Sequence, residues 1–537
     1  MILNNSFRLI KKKIRHFYFN SYLYNKKITP SSIELLEYQP SPSLLDGLIK
    51  YEKKKINIEN YSLNEIWNNP NLKEKDQQNL NSFFWLFSLD LRSSKKDTQN
   101  VINQWINTND RYNSKNWKID IIGKRIIAWI SNSRLTYEDG NIDYKDKFNG
   151  TIKKQINHLI NEIETSELID NKIIGCAAII LTGLSYPQNN NYLNTGLSLL
   201  KKLAKYSLDN DGFPKSRNIR QLSFYLKYFI LIREWFKESQ NEIPDFINEN
   251  IYYLGQAYVF IWQNNKIDFL FNGNHKTNNH NFDLYLKRLG YNNFKNQNNE
   301  LGGYVVLNSK KNSLIMDVGS SPNKKLSSDY QAGALSFEII SNSKKLISNC
   351  GYFQKIDHQL NEISKSSAVH STLIIDDKSS CNFNKVRGKK SKINQELRIL
   401  KKKIVFEKNY WKINASHDGY LKPHGIVHDR EIEFYPEQLK FIGHDKIISN
   451  KGIKNLKFDI RFHLEPNIRL MKTQDEKSIL IDLDGEGWKF SSDNSKINIE
   501  EGLYFGEKNS FSNNQNIFIS GMTNEENQTI RWEITKL

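Results

Sequence analysis

The sequence contains three short clusters of residues that could take part in chemistry. The first, residues 211–218, is a turn with Gly and Pro between two stretches of helical spacing. Arg217 and Asn218 would stand at the N-terminus of the second helix, where positive charge and free N–H groups suit an anionic ligand. The alternative is a plain helix connection in which Ser216 or Asn218 caps a helix that begins near Ile219, with Arg217 on the surface.

The other two clusters lie in the second half of the chain. His370 stands immediately before a β-branched run, where a histidine is either a structural residue or a group that moves protons. The third cluster spans residues 417–430. If its second half is a strand, His428 and Arg430 share one face and could meet one ligand. Two solvated side chains on that strand are the alternative.

The histidines invite a search for a metal site, because nine of the eleven lie at or beyond His275. Metal ligation needs three or four converging donors, and the sequence has neither a tight HxH nor an HExxH motif. His275 and His280 belong to an Asn-rich stretch, 272–281, that indicates a solvated loop. No phosphate-binding glycine loop, nucleophile elbow or dinucleotide fingerprint is visible, so we expect no cofactor and no metal.

Two patterns of apolar residues indicate the secondary-structure elements that must position these residues. From Ser82 to about Ile261 apolar residues recur at helical spacing, which predicts a serial array of antiparallel helices. After Gly273 the pattern changes to short β-branched runs separated by polar clusters, which predicts a large β-sandwich. We therefore expect an N-terminal extension with helices over 1–80, a helical domain over 81–265 and a β-domain over 266–537.

Composition narrows the classes of protein. The chain has 537 residues, a net charge of +18 and 38% hydrophobic residues, which excludes a membrane-embedded protein. Aromatic residues make up 12%, more than disordered chains carry. Lysine is spread along the chain without a nucleic-acid motif, so we expect no nucleic-acid partner. The three cysteines lie too far apart in sequence to form a disulfide framework.

The N-terminus is basic and aromatic from Phe7 to Phe19, but no apolar core or cleavage site follows it. We therefore expect no cleaved export signal. The longest apolar run, about Gly175 to Leu184, is half of the roughly 20 residues that a membrane-spanning helix needs. It is interpreted as a buried helix.

Taken together, an ordered set of short motifs resembles the heparinase II/III-like family of polysaccharide lyases. In the helical half these are Ser82-Phe83-Phe84-Trp85-Leu86, Leu91-Arg92, Trp105, Trp117-Lys118-Ile119-Asp120, Arg125, Trp129, the 211–218 segment and Leu231-Ile232-Arg233. In the β half they are Phe271-Asn272-Gly273, 334–338, Asn349-Cys350-Gly351, 370–373, 417–420, His428-Asp429-Arg430, Phe462-His463-Leu464 and 485–488. The resemblance implies an incomplete α/α toroid followed by an antiparallel β-sandwich, with the substrate groove between them.

The resemblance also implies a reaction, β-elimination on a uronate-containing polysaccharide, and residues for it. Active relatives carry an Asn-His pair where this chain has Asp170-Asn171, so Asn171 is the expected amide. Their toroid tyrosine falls at Gln221, and Tyr225, one helical turn further, is the expected substitute. In the β half the candidate catalytic residues are His370, Tyr304 and Tyr420. The expected substrate-binding residues are Arg217, Asn218, His428 and Arg430.

Two departures from the family pattern bear on the chemistry. The family's HxHxD motif reads Asp-Tyr-Gln-Ala-Gly at 329–333, so both histidines are absent. The structural metal of some relatives would fall at Gln331, Asn349 and His370, and only one of these residues is a strong zinc ligand. We therefore expect no zinc at this position.

The functional expectation is a lyase-like protein that acts on uronate-containing acidic polysaccharides or oligosaccharides. A non-catalytic glycan-binding or envelope-polysaccharide assembly protein on the same scaffold is the alternative, because the histidines and the toroid tyrosine are missing. By resemblance the protein would work in the cell envelope or periplasm. The lack of a visible signal leaves the cytoplasm open.

Overall fold

The computed structural model describes residues 13–45, 72–89, 94–188, 190–263, 266–277, 279–450, 452, 454–493 and 496–537. The chain forms two compact units. Unit 1 comprises Met1–Ser207 and Phe224–Tyr252, and unit 2 comprises Leu208–Ser223 and Tyr253–Leu537. The domain limits expected from the sequence, at 80 and 265, stay a prediction. The Leu91-Arg92 motif and the basic residues Lys11 and Lys12 lie outside the described residues.

Unit 1 is helical. Its helices, some of which continue into unit 2, are α1 (Tyr22–Ile28), α2 (Glu74–Ser82), α3 (Lys95–Asn109), α4 (Ile119–Ser131), α5 (Ser133–Thr136), α6 (Ile142–Glu162), α7 (Ile169–Ser185), α8 (Asn190–Ser207), α9 (Ile219–Glu238) and α10 (Asp245–Tyr258). Side-chain caps set several starts: Ser94 accepts the amide of Asp97 at α3, and Asn141 accepts that of Tyr144 at α6. Helix α7 is buried from Ile173 to Ser185, as its apolar run predicts.

Aromatic residues at helical spacing build the centre of unit 1. The rings of Trp105 and Trp129 meet edge to face with centroids 5.6 Å apart, and Phe83 packs on Trp129 at 5.2 Å. Arg125 is buried with its guanidinium 3.9 Å from the ring centre of Trp105. These contacts explain why the sequence places Trp and Arg one helical turn apart.

Unit 2 begins with the turn before α9 and continues through α11 (His280–Arg288) into antiparallel strands. The first strands are β1 (Glu300–Leu301), β2 (Tyr304–Asn308), β3 (Asn312–Asp317), β4 (Phe337–Ser341), β5 (Lys344–Ile347), β6 (Leu373–Ile375), β7 (Phe383–Asn384), β8 (Lys392–Ile393), β9 (Ile399–Phe406) and β10 (Trp411–His417). They are followed by β11 (Ile426–Tyr435), β12 (Lys440–Ser449), β13 (Lys457–His463), β14 (Arg469–Lys472), β15 (Ser478–Leu483), β16 (Glu486–Ser492), β17 (Ile497–Tyr504), β18 (Ser512–Met522) and β19 (Asn527–Lys536). Short helices α12 (Gln359–Ile363) and α13 (Leu421–His424) interrupt them.

The strands form four sheets. The orders are β1-β2-β3-β4-β5, β14-β15-β16-β19-β12-β11-β10-β9, β17-β18-β13-β6 and the hairpin β7-β8. One apolar core joins the three larger sheets, and in it Phe337 of β4 stacks on Trp532 of β19 at 5.3 Å. The sequence-based expectation of helices followed by antiparallel strands is therefore confirmed. Within the described residues no helix is both long and apolar enough to span a bilayer.

Candidate functional site: a cation cluster around Asp329

Arg217 connects the turn before α9 to the first sheet of unit 2. Its backbone has a φ of +61°, and its guanidinium donates to Asp317 Oδ1 at 2.8 Å and to the carbonyl of Gly319 at 2.9 Å. A Cβ on Gly319 would lie only 2.5 Å from the guanidinium carbon, so the glycine makes room for this side chain. Only 7% of the Arg217 side chain is exposed. The guanidinium therefore joins loop and sheet.

Tyr304 lies in the same buried network. Its hydroxyl donates to the carbonyl of Arg217 at 2.8 Å and accepts from Asn272 Nδ2 at 2.6 Å. The side chain is fully buried, and this burial raises the pKa of Tyr304 above its ordinary value. In this position the hydroxyl bridges two parts of the chain.

Asn218 has two partners. Its Oδ1 accepts the amide of Arg220 at 3.0 Å, so it caps α9 as one of the two sequence interpretations predicts. Its Nδ2 donates to Asp329 Oδ2 at 3.3 Å. The cap therefore orients the amide of Asn218 towards the carboxylate of Asp329.

Asp329 is the centre of a group of positive charges. Lys390 Nζ lies 2.5 Å from its Oδ1, and the charges of Arg220 and Lys365 also act on it. Burial by itself would raise the pKa of this carboxyl, but the cations outweigh burial and hold the pKa of Asp329 at about 2. Lys390 and Arg220 by themselves outnumber this one carboxylate, and we call Asp329, Lys390, Arg220 and Lys365 the Asp329 cluster.

Lys365 fixes the position of the cluster. Its ammonium donates to the carbonyls of Ser328 at 2.7 Å and Ser391 at 2.8 Å, and so ties the turn before Asp329 to the residue that precedes strand β8. Burial lowers the pKa of Lys365 to about 7, although Asp329 acts in the opposite direction. Because its three protons face oxygen acceptors, including Ser391 Oγ at 3.1 Å, Lys365 holds structure in place.

The hairpin β7-β8 extends the positive charge. Residues 383–393, which we call the basic hairpin, contain five Lys or Arg and no Asp or Glu. The carboxylate of Asp357 accepts the amide of Gly388 at 2.8 Å, and Lys385 pairs with Glu362. The loop is therefore anchored at its tip and on one side, while the side chain of Arg387 is exposed.

His370 is enclosed in the core of unit 2. It is 1% exposed, and within the described part of the chain neither ring nitrogen has a hydrogen-bond partner. Burial, with a smaller contribution from His463, lowers the pKa of His370 to about 3. The ring is therefore neutral and out of contact with solvent at neutral pH.

Two of the three residues that the resemblance places at a structural metal, Gln331 and Asn349, make hydrogen bonds within the chain. Gln331 Oε1 accepts the amide of Gly273 at 3.0 Å, and its Nε2 donates to the carbonyl of Gly351 at 2.9 Å. Asn349 Oδ1 accepts the amide of Ser371 at 3.0 Å. These amides do not fit a zinc ion, which prefers thiolate, imidazole or carboxylate. Across the described residues no group of three His, Cys, Asp or Glu side chains is arranged to hold a metal.

His428 and Arg430 share a face of β11, as strand periodicity predicts, and both reach Asp445 on β12. His428 Nε2 and Arg430 Nε each lie 2.7 Å from Asp445 Oδ1. Trp532 Nε1 donates to the other carboxylate oxygen at 2.9 Å. All three polar side chains are fully enclosed, and we call this set the Asp445 cluster. The common partner of His428 and Arg430 is therefore a carboxylate of the neighbouring strand.

The remaining catalytic candidates lie in separate places. Tyr420 is fully buried and its hydroxyl donates to the carbonyl of Leu373 at 2.8 Å. Asn171 is half-buried in the first turn of α7, and Tyr225 is buried in α9; both belong to unit 1. The role of each of these residues stays a prediction.

Sequence reasoning missed Arg220, Lys365 and Lys390. The signal that could have found the hairpin is local, because residues 383–393 contain five cations and no acidic residue. Lys365 has no such signal, because its partners Ser328 and Ser391 are distant in sequence.

Comparison with known proteins agrees with this architecture. Residues 297–533 match the family model Heparinase II/III-like, C-terminal. Unit 2 contains a heparinase II/III-like C-terminal domain. The predicted resemblance to the heparinase II/III-like family is therefore confirmed. At the level of sequence alone, no curated protein matches the chain.

Solved structures with this fold extend the likeness into unit 1. Heparan sulfate lyase HepC from Pedobacter heparinus aligns over 90% of this chain and 78% of its own, with 14% identity and a TM-score of 0.63. A heparinase III structure aligns over 86% of this chain and 77% of its own, with 16% identity and a TM-score of 0.67. At these identities the likeness shows the fold, an incomplete α/α toroid followed by an antiparallel β-sandwich. The scaffold is that of a heparinase-like polysaccharide lyase.

Proposed function

We propose that this heparinase-like protein binds a uronate-containing acidic glycan through the Asp329 cluster and the basic hairpin. The observation that carries the proposal is the positive charge at Asp329: Lys390 lies 2.5 Å from the carboxylate, and the charges of Arg220 and Lys365 also act on it. A sugar carboxylate or sulfate offers these cations the same type of partner.

The contacts of Asp329 support this proposal. Asp329 accepts a charge-assisted hydrogen bond from Lys390 and a neutral one from Asn218. A cation and an amide side by side are suited to neutralise a uronate group, which is the first requirement for removing the neighbouring C5 proton. Lys390 keeps 20% of its side chain exposed, so it can exchange one carboxylate for another.

The second requirement, proton transfer, is poorly met in unit 2. A base must come within about 3 Å of the proton that it removes, and loss of such a group typically lowers the rate by roughly 10²–10⁴. Tyr304, Tyr420 and His370 are each at most 1% exposed. Burial also raises the pKa of both tyrosines and disfavours their ionised form. We therefore propose glycan binding with weak or no β-elimination.

A lyase with an active site of different composition is the second candidate. It is favoured by Asn171 in the first turn of α7, next to the position where the resemblance places the asparagine of active relatives, and by Tyr225 on α9. In that case Asn171 neutralises the uronate carboxylate and Tyr225 moves the proton. The products would be an unsaturated uronate and a new reducing end.

Binding is tested with the double variant Arg387→Ala/Lys390→Ala. Wild type should bind heparan sulfate or alginate oligosaccharides in isothermal titration calorimetry, and the variant should bind at least tenfold more weakly because two cations are lost. The matched control, Lys401→Ala/Lys403→Ala, removes the same charge from the exposed strand β9. Equal losses in both variants would mean that only net charge matters, and the site assignment would be wrong.

Activity is tested by following the ultraviolet absorbance of unsaturated uronate. We expect a rate well below the order of 1 s⁻¹ that is common for enzymes. Faster turnover that is lost in Tyr225→Phe, while binding is retained, would establish the lyase instead. An envelope or periplasmic location, which gives access to acidic glycans, completes the proposal and is tested by cell fractionation.

A further inference from the structure

The N-terminal helical segment of unit 1, residues 13–28, has one apolar face buried against α6. Phe19, Tyr24 and Ile28 are each less than 9% exposed. The hydroxyl of Tyr24 lies 2.7 Å from His158 Nδ1, and Asn157 Nδ2 donates to the carbonyl of Ile28 at 2.8 Å. These contacts fix the segment to the body of unit 1.

A second apolar face of the same segment points away from the body. Ile14, Phe17, Tyr22 and Leu23 are 65%, 81%, 75% and 72% exposed. Single exposed apolar residues are ordinary on protein surfaces, but four large ones within ten residues form a patch. Among the described residues, the rest of the protein leaves this second face largely uncovered.

Positive charge is concentrated in the sequence around these four residues. Residues 1–33 contain seven Lys or Arg and no Asp or Glu, and of these Lys13, Lys26 and Lys27 are described and exposed. An apolar patch with cations and tyrosine beside it is the pattern of segments that lie in a membrane interface.

We propose that this face docks on the surface of a bilayer that contains anionic lipids. Ile14, Phe17 and Leu23 would enter the boundary between headgroups and acyl chains, while the lysines would contact lipid phosphates. Nothing spans the bilayer in this arrangement, and the proposal is independent of glycan binding by unit 2.

Two other occupants fit the face less well. A second copy of the chain would bring two strongly positive segments together, and like charges at close range oppose association. An acidic glycan would match the lysines, but the aliphatic side chains of Ile14 and Leu23 offer it no hydrogen bond. An anionic bilayer matches both the charge and the apolar area.

The test is cosedimentation of the full chain with vesicles of phosphatidylcholine, with or without phosphatidylglycerol. We expect binding to the anionic vesicles, weakening as salt is raised, and little binding to neutral ones. Phe17→Ser/Tyr22→Ser/Leu23→Ser should reduce binding at least tenfold. Lys13→Glu/Lys26→Glu/Lys27→Glu should reduce it by more than 100-fold, since each cation near an anionic surface contributes roughly a factor of five.

Two matched controls use exposed residues of unit 2. Met471→Ser/Phe511→Ser removes exposed apolar area, and Lys401→Glu/Lys403→Glu/Lys408→Glu reverses three exposed charges. Both should bind vesicles like wild type. Absence of wild-type binding, or equal losses in the control and test variants, would overturn the proposal. So would a concentration-dependent dimer that the serine variant abolishes, or competition by soluble glycan that exceeds the effect of salt.

Discussion

The Asp445 and Asp329 clusters both set an aspartate against basic side chains, but they differ in their access to solvent. Asp445, His428 and Arg430 have no exposed side-chain surface, whereas Lys390 beside Asp329 is 20% exposed. An ion pair without solvent needs every partner in place, because an uncompensated buried charge is strongly unfavourable. A cluster with solvent access and surplus cations can exchange its anion.

Hydrogen-bond geometry gives the same contrast. Arg430 uses Nε and Nη2 on Asp445, and its Nη1 on the carbonyls of Leu335 and Ser371 at 2.9 and 2.7 Å. Burial would raise the pKa of Asp445, but Arg430 and His428 hold it below its usual range. The Asp445 cluster is therefore closed to further partners. We expect it to support the sandwich and the Asp329 cluster to bind.

The largest expected effect is on stability. Asp445→Asn leaves Arg430 without its counterion and should lower the free energy of unfolding by about 3–5 kcal/mol. The same change at the other cluster, Asp329→Asn, should lower it by only about 1–2 kcal/mol, because Lys390 can turn towards water. Urea unfolding measures both. Similar losses of unfolding free energy at the two positions would contradict the proposed difference between an enclosed and a solvent-accessible cluster.

As pH falls, stability should be lost first through the buried residue His370 and only later through Asp329. The pKa of His370 falls from 6.5 to about 3 on folding, so the unfolded chain binds more protons between these values. Stability is then fully present above pH 6.5 and is lost as pH falls towards 3, by about 1.4 kcal/mol per pH unit for this residue. His370→Asn should flatten the pH dependence of the unfolding midpoint by that amount. Asp329, with a pKa of about 2, loses its contribution only below about pH 4.

Glycan affinity should respond differently to the same substitution in the Asp329 and Asp445 clusters. Asp329→Asn removes the internal anion that competes for Lys390, so affinity for an acidic oligosaccharide should rise severalfold, most clearly at low salt. Asp445→Asn should leave the affinity of the folded fraction unchanged. Calorimetry at two ionic strengths compares them, and weaker binding by Asp329→Asn would mean that Asp329 itself contacts the sugar.

The smallest expected effect concerns metal. Both amide atoms of Gln331 and the amide oxygen of Asn349 already have hydrogen-bond partners, and amides are poor zinc ligands. Protein purified without chelators should therefore contain no stoichiometric zinc, and EDTA should not change its melting temperature. Elemental analysis decides this. One tightly held equivalent of zinc would contradict the alignment of residues 331, 349 and 370 with the family's ligands.

Features set by neighbouring residues could be predicted from the sequence, whereas contacts between residues distant in sequence could not. The shared face of His428 and Arg430 follows from the two-residue repeat of a strand. Their common partner could not be predicted, because Arg430 stands opposite Asp445 only through the β11-β12 register. The helix cap by Asn218 could also be predicted, because it involves only residues that are close in sequence. The left-handed backbone of Arg217 could not be predicted, because its guanidinium pairs with Asp317, a residue 100 positions further along the chain.

The Arg217–Asp317 pair also limits how the β-domain can be moved between proteins. The segment Leu208–Ser223, which supplies the arginine, belongs to unit 2 although helices of unit 1 flank it in sequence. A fragment cut at the start of the family match, residue 297, would keep Asp317 and lose its counterion. A fragment transferred at that boundary would therefore be an incomplete module, and one that keeps this ion pair must also include Leu208–Ser223.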